Sequence, residues 1–398
     1  MIARCLALLA ALTTPFLGGA FAQAPIVVGA VVSQTGLARD LAADYRKGIL
    51  LWQAQIAAAG GLIGRPVEVR IADDGSGADE AAIQYQRLID ENKADLLVGP
   101  YGSAASLTSA AVAELAHRVM VNGSGASGSV HKRGLRYVFQ VATPYARYGA
   151  GVLGVARQWK AGKLFVIARA DPVAREMADA LVTDAARRRV AASAVVTFKE
   201  DTEEFDAFVR AAREQNARAW VAFGSARDAA NMVITFKRLG YSPSIFVARG
   251  AASEGFIRRV GQDAEYAIGI SAWEPGLRTR GNQAFVKAYR EKWGKESDPG
   301  LAAAQAYSAC RVLEAAVRRA GSVDQEKLRA ALAQLDIETP LGRYRTQAGT
   351  GRQIGIQTIL VQIQKGHREI VWPARFATAS VALPYPRWDQ RVHITAEQ

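Results

Sequence analysis

ADLLVGPYGSAASLTSA, residues 94–110, has an echo in ARAWVAFGSARDAANMV, residues 217–233. Each is a short apolar run, then Gly-Ser-Ala, then a stretch with helical spacing. A short apolar run bounded by glycine reads as a buried strand, and the spacing after it as a helix lying on the sheet. Ser103 and Ser225 stand where the hydroxyl of a helix N-cap belongs. The same strand, turn and helix at two distant places predicts two α/β lobes.

Working outward, the pattern predicts strands at 27–32, 67–72, 95–98 and 119–121, alternating with helices at 41–59, 79–92 and 104–116. Gly60 and Gly61 end the first helix, where glycine takes the left-handed C-cap conformation. Around the second copy it predicts a helix from Pro144 to about Trp159, and strands at 163–168, 194–198, 219–223 and 245–248. Helices at 174–188, 203–214 and 228–239 lie between them. Such alternation builds parallel sheets covered by helices on both faces. Helices at 281–293, 301–319 and 323–332 follow. LGRYRTQAGTGRQIG, 341–355, reads as an irregular return segment, and IQTILVQIQKG, 356–366, as one late strand. A chain that builds two lobes and then returns crosses between them more than once, which suits a hinge.

The first 22 residues, MIARCLALLAALTTPFLGGAFA, carry one early charge at Arg4, an apolar run, and Ala-Phe-Ala before Gln23. They read as a secretory signal peptide cleaved near Ala22, so the protein is expected to be exported. One cysteine then remains, Cys310, so no internal disulfide is expected and stability must come from buried cores. The formal charge is +13, but lysines and arginines are scattered and aromatics are 8% of the chain. No nucleic-acid partner is expected.

VNGSGASGSV, 121–130, contains G-x-G-x-x-G at Gly123, Gly125 and Gly128. A dinucleotide fingerprint needs an acidic residue about 20 residues further on, at the end of a following strand, to hold the ribose. TPYARYGAG offers none, so no cofactor is expected. What remains is a flexible turn at the carboxyl end of a strand, where ligands sit in open α/β sheets. No G-x-S-x-G elbow occurs, and His117, His131, His367 and His393 have neither an acid partner nor metal-ligand spacing. Neither an enzyme nor a metal site is expected. Asp73 and Asp74, after a strand, read as loop or cap support.

IVVGAVVSQTG, AAAGGLIGRPVEVRIADDGS, KADLLVGPYGSAAS, VMVNGSGAS, RYVFQVATPYARYG and FKRLGYSPSIFVARG occur in this order. Together they resemble the periplasmic Leu/Ile/Val-binding family, the type I solute receptors of ABC importers. The resemblance spans nearly the whole chain after the signal. It implies a type I periplasmic-binding-protein fold, two doubly wound parallel-sheet lobes joined by a three-segment hinge near 139–143, 269–273 and 341–345. Lobe one would take 23–141 and about 273–343; lobe two would take 142–272 and about 344–398. It further implies a monomer that closes on a small ligand and delivers it to an ABC permease and ATPase complex in the inner membrane.

The resemblance also implies a site. Ser103 stands where the family places a serine hydroxyl on the ligand's carboxylate. Ser124, Gly125 and Ala126 stand where its second loop holds carboxylate and amino groups, with Tyr101 beside them. Leu41 falls near a family aromatic that covers the ligand. Lobe two departs from the pattern: Val173 stands at a tyrosine position, and Ser225 repeats the lobe-one serine. Arg249 occupies the turn where the amino-acid receptors place a glutamate for the ligand's ammonium. A cation about 4 Å from an ammonium is repelled by roughly 1 to 4 kcal/mol. The expected ligand is therefore a small carboxylate, an amino acid or, favoured by Arg249, an aromatic or other organic acid that Arg249 or Arg169 engages. A periplasmic sensor that passes its state to a regulatory partner is the alternative reading.

Overall fold

A computed structural model describes residues 24–132 and 134–391; the expected signal peptide, residues 1–22, lies outside them. Strand and helix alternate from the start: β1 (Ile26–Val31), α1 (Arg39–Ala58), β2 (Val67–Ala72), α2 (Ala78–Asp90), β3 (Leu96–Val98), α3 (Ser103–Leu115), β4 (Met120–Asn122) and β5 (Val138–Gln140). The second series is α4 (Ala150–Gln158), β6 (Leu164–Arg169), α5 (Pro172–Arg187), β7 (Val196–Phe198), α6 (Asp206–Glu214), β8 (Ala219–Phe223), α7 (Ala226–Arg238), β9 (Ile245–Ala248), α8 (Glu254–Val260) and β10 (Ile268–Ser271). The chain returns through α9 (Asn282–Trp293), α10 (Leu301–Ala320) and α11 (Gln325–Gln334), then β11 (Ile337–Thr339), β12 (Gly342–Tyr344), β13 (Ile359–Gln364) and β14 (His367–Trp372).

The first series forms a parallel five-stranded sheet in the order β2-β1-β3-β4-β5. The second forms a seven-stranded sheet, β14-β13-β10-β9-β8-β6-β7, in which β6 to β10 pair in parallel. β1 and β8 are buried along their whole length, as central strands covered on both faces must be. In lobe two, Trp220, Phe236 and Phe246 are fully buried and meet edge to face, with ring centroids 4.9 Å and 5.2 Å apart. Truncating any of them to alanine would cost about 3–5 kcal/mol, so the face of α7 against β8 and β9 is firmly fixed.

β5 and the antiparallel β11–β12 pair form where no strand was expected, and three further features differ from the expectations. The late strand is a hairpin: β13 runs antiparallel to β10, and β14 antiparallel to β13. Lys365 and Gly366 turn it with φ of 53° and 77°, the left-handed pair that a two-residue hairpin requires. Helix α8 was not anticipated from the sequence; the Ser253 side chain caps it by accepting from the Phe256 N–H. Thirdly, the crossing placed near 341–345 falls later. Residues 345–355 fold back on themselves and lie along β5: the Gln140 N–H donates to the Gly351 carbonyl at 2.8 Å, and the Gln353 N–H to Gln140 Oε1 at 3.2 Å. At the second crossing the core changes between adjacent residues, Ala272 packing in lobe two and Trp273 in lobe one.

Candidate functional site

Most of the nominated residues follow the carboxyl ends of strands: Tyr101 and Ser103 after β3, Ser124 to Ala126 after β4, Ser225 after β8 and Arg249 after β9. In lobe one, Gly102 is the N-cap of α3 with φ 87°, and Ser103 is the first helical residue, with no side chain capping the helix. The Ser103 hydroxyl oxygen instead accepts from the Ser127 N–H at 3.3 Å, tying the two loops together. Ser124, buried, accepts from the Gly102 N–H at 3.1 Å. The Gly125 N–H donates to Asn122 Oδ1 at 2.9 Å, and its carbonyl accepts from Gln140 Nε2 at 2.9 Å. Gly125 therefore spends its own polar groups on the loop. A methyl there would lie 2.3 Å from Asn122 Nδ2 and 2.5 Å from the Ser106 side chain, so any larger residue must displace those side chains. The Ala126 carbonyl accepts from the Tyr145 N–H at 3.0 Å, and Tyr101 packs edge to face on Tyr45.

In lobe two, Ser225 is a true N-cap. Its hydroxyl accepts from the Asp228 N–H at 3.3 Å while Asp228 Oδ2 accepts from the Ser225 N–H at 2.7 Å, a complete capping box. Gly250 packs against that cap: a methyl on it would lie 2.0 Å from the Ser225 carbonyl oxygen. The close approach sets Arg249 beside Ser225. Both line a cavity of about 330 Å³ together with Tyr148, Ser271 and, from the lobe-one helix α10, Leu301. That volume is at the small end of ligand sites.

Arg249 is exposed to this cavity and forms no ion pair among the described residues. Its charge reaches both sides of the cleft. Burial raises the Tyr148 phenol well above its ordinary value and raises that of Tyr101, and in each case Arg249 pulls it back down. Arg169, the other arginine considered, is already engaged: Asp171 holds it at 2.8 Å and Glu200 at 3.1 Å. A larger hollow of about 820 Å³ opens on lobe one, but its Arg311 and Arg318 are both held by Glu314 and its Arg343 by Asp336.

Of the nominated residues only Ser225 and Arg249 line that cavity; Tyr101, Ser103, Ser124, Gly125 and Ala126 lie on the lobe-one loops outside its lining, and Leu41 and Val173 stand further apart. Leu41 is 62% exposed on the first turn of α1. Val173 is half-buried at the start of α5, its N–H donating to the capping Asp171 carboxylate at 2.9 Å. Conversely, Tyr145, Tyr148, Ser271 and Leu301 were not singled out by the sequence. The spacing in TPYARYG carried a usable signal, two aromatics at the first crossing, where the backbone enters lobe two; their rings meet edge to face at 5.6 Å. Asp73 supports the loop as expected, accepting from Gln34, Thr35 and Gly75.

The chemistry of the cleft is donor-rich. Ser103, Ser124 and Ser225 each accept a backbone N–H, and none has an acceptor for its own proton among the described residues. A hydroxyl that has spent a lone pair in this way still has one O–H to give. Ser225 and the Arg249 guanidinium on one cavity, and Ser103 and Ser124 on the lobe-one loops, are donors that suit an acceptor-only group such as a carboxylate. The G-x-G-x-x-G turn leads into a short 3-10 turn at Gly128–His131 rather than a helix, so no helix N-terminus faces a pyrophosphate there. Among the described residues no cluster of His, Cys, Asp or Glu could hold a metal, and no helix is long and apolar enough to cross a membrane.

Known proteins share this architecture. The chain is 24% identical over 327 residues to an amino acid binding protein of Pseudomonas aeruginosa, covering 81% of this chain and 86% of that one. The branched-chain amino acid transporter substrate-binding protein of Streptococcus pneumoniae, solved with isoleucine, superposes with a TM-score of 0.71 at 22% identity, over 90% of this chain and all of that one. A solute-binding protein of an ABC transporter from R. palustris, solved with benzoate, superposes with a TM-score of 0.70 at 18% identity, over 91% and 97%. The fold is that of a type I periplasmic binding protein. The family described as periplasmic binding protein matches residues 25–368, and the chain belongs to it.

Proposed function

We propose that this binding protein, which is not an enzyme, is the periplasmic receptor of a branched-chain-amino-acid-type ABC importer and captures a small aromatic or other organic carboxylate between its lobes. The observation that carries this reading is Arg249, a cation with no ion pair among the described residues, lining a cavity beside Ser225 and Tyr148. In the proposed complex the hydroxyls of Ser103 and Ser124 and the backbone at Ala126 hold the ligand from lobe one, with Gly125 shaping that loop and Tyr101 walling it. Arg249 and Ser225 meet it from lobe two, and Val173 and Leu41 supply apolar border. The lobes divide at the crossings after Val141 and Ala272, with the third between Gly355 and Ile359, and hinge closure traps the ligand for a membrane permease and its ATPase. The fold admits both ligand classes, since one relative holds isoleucine and another benzoate. Arg249 favours the second, because a free α-ammonium beside it would be repelled.

Charge reversal tests the reading. With benzoate as the probe, Arg249→Glu should weaken binding by about 100-fold or more, as expected for loss of a buried charge-assisted pair. Because Arg249 is exposed and forms no ion pair among the described residues, the melting temperature should hardly move. Undiminished benzoate affinity in the variant would refute the role of Arg249.

A further inference from the structure

The ligand loop of lobe one is gripped from the other lobe. Glu176, in the second turn of α5, accepts the Ser127 hydroxyl at 2.6 Å on one carboxylate oxygen and the Gly128 N–H at 2.7 Å on the other. Both contacts are at charge-assisted lengths. Among the described residues Glu176 forms no ion pair, so its charge is met by the loop's donors. The fit is close on both sides: a Cβ added to Gly128 would stand 3.2 Å from Glu176 Oε1. Ser127 then passes the constraint on, donating its own N–H to Ser103 Oγ. A carboxylate of lobe two, a loop of lobe one and the Ser103 hydroxyl thus form one hydrogen-bonded chain across the cleft. Opening the lobes must break it at Glu176, since both of the other members belong to lobe one.

We propose that Glu176 is a positioning residue for closure: it fastens the Gly-rich loop to lobe two and, through Ser127, sets the Ser103 hydroxyl for the ligand. The proposal rests on the two-lobe closure described above but not on what the ligand is. Its test therefore compares the variants with the wild type both without ligand and with saturating benzoate, so that a wrong ligand class would leave the ligand-free comparison unaffected.

Small-angle X-ray scattering would report the separation of the lobes, and hydrogen exchange the protection of the 122–131 segment. Glu176→Ala should raise the radius of gyration toward that of an open form and speed exchange in 122–131 by about tenfold, the factor that one net hydrogen bond to a charged group corresponds to. Glu176→Gln keeps an acceptor for Gly128 and should fall between Glu176→Ala and the wild type, which also guards against a folding defect in the alanine variant. Ser127→Ala should speed exchange by itself and add less in the Glu176→Ala background than in the wild type, because the shared bond is already gone and only the bonds of Ser127 to Ser129 remain to be lost. Wild-type scattering and exchange in Glu176→Ala, or full additivity of the two alanine substitutions, would overturn the proposal.

Discussion

The two Gly-Ser-Ala turns share three letters and use them differently. In lobe two the serine caps its own helix: Ser225 and Asp228 exchange hydrogen bonds, and the turn is complete within itself. In lobe one the register is one residue later, so Gly102 takes the cap position at a φ of 87° and Ser103 enters the helix. Freed from capping, Ser103 reaches across to the Ser127 N–H and makes two loops into one surface. The difference is between a turn that stabilises its lobe and a turn that organises a site. Lobe two compensates elsewhere, placing the unpaired Arg249 next to its self-contained cap.

The comparison can be broken at several points, in descending order of effect. The glycines beside the two turns come first. Gly250→Ala would press a methyl into the Ser225 carbonyl at 2.0 Å, a backbone atom that cannot rotate away, whereas Gly125→Ala meets the side chains of Asn122 and Ser106. Urea denaturation should show a loss of about 3 kcal/mol for Gly250→Ala and about 1–2 kcal/mol for Gly125→Ala. The reverse order would mean that the lobe-one loop is the more rigid of the two. The serines come next. Ser225→Ala should cost about 1 kcal/mol of stability, the usual worth of an N-cap, while Ser103→Ala should cost under about 0.5 kcal/mol and weaken benzoate binding several-fold. Equal stability losses would show that Ser103 is a structural cap in all but position.

Much of the fold was legible because it is built from buried strands alternating with amphipathic helices, a pattern that composition and period expose directly. Both Gly-Ser-Ala turns and the Gly-rich turn after β4 fall at strand ends as read. The one-residue offset between Ser103 and Ser225 was not legible, because it depends on the backbone angle that Gly102 adopts and not on the letters. The hairpin of β13 and β14 was only partly within reach: QIQKGHREIVW places Gly366 between two runs that carry Ile, Val and Trp, but HREIVW does not alternate and Lys-Gly is a weak turn signal. The third crossing was harder. Residues 345–355 have no period, and their place along β5 is fixed by tertiary bonds from Gln140 and Gln353. For the site, the departure at Arg249 could be read from FVARG, but its lack of a partner could not; Arg169 looked equally available until Asp171 and Glu200 were seen to hold it. Glu176 carried no signal at all, since its partners lie about 50 residues away in the other lobe.

The central claim is that the cleft takes a carboxylate without a neighbouring ammonium. Thermal melting of the wild-type protein in benzoate and in isoleucine, each titrated to saturation, measures it most directly. Benzoate should stabilise the protein, by about 2.7 kcal/mol at 100 times its dissociation constant, and isoleucine should leave the melt where it was. Stabilisation by isoleucine with no response to benzoate would contradict the account.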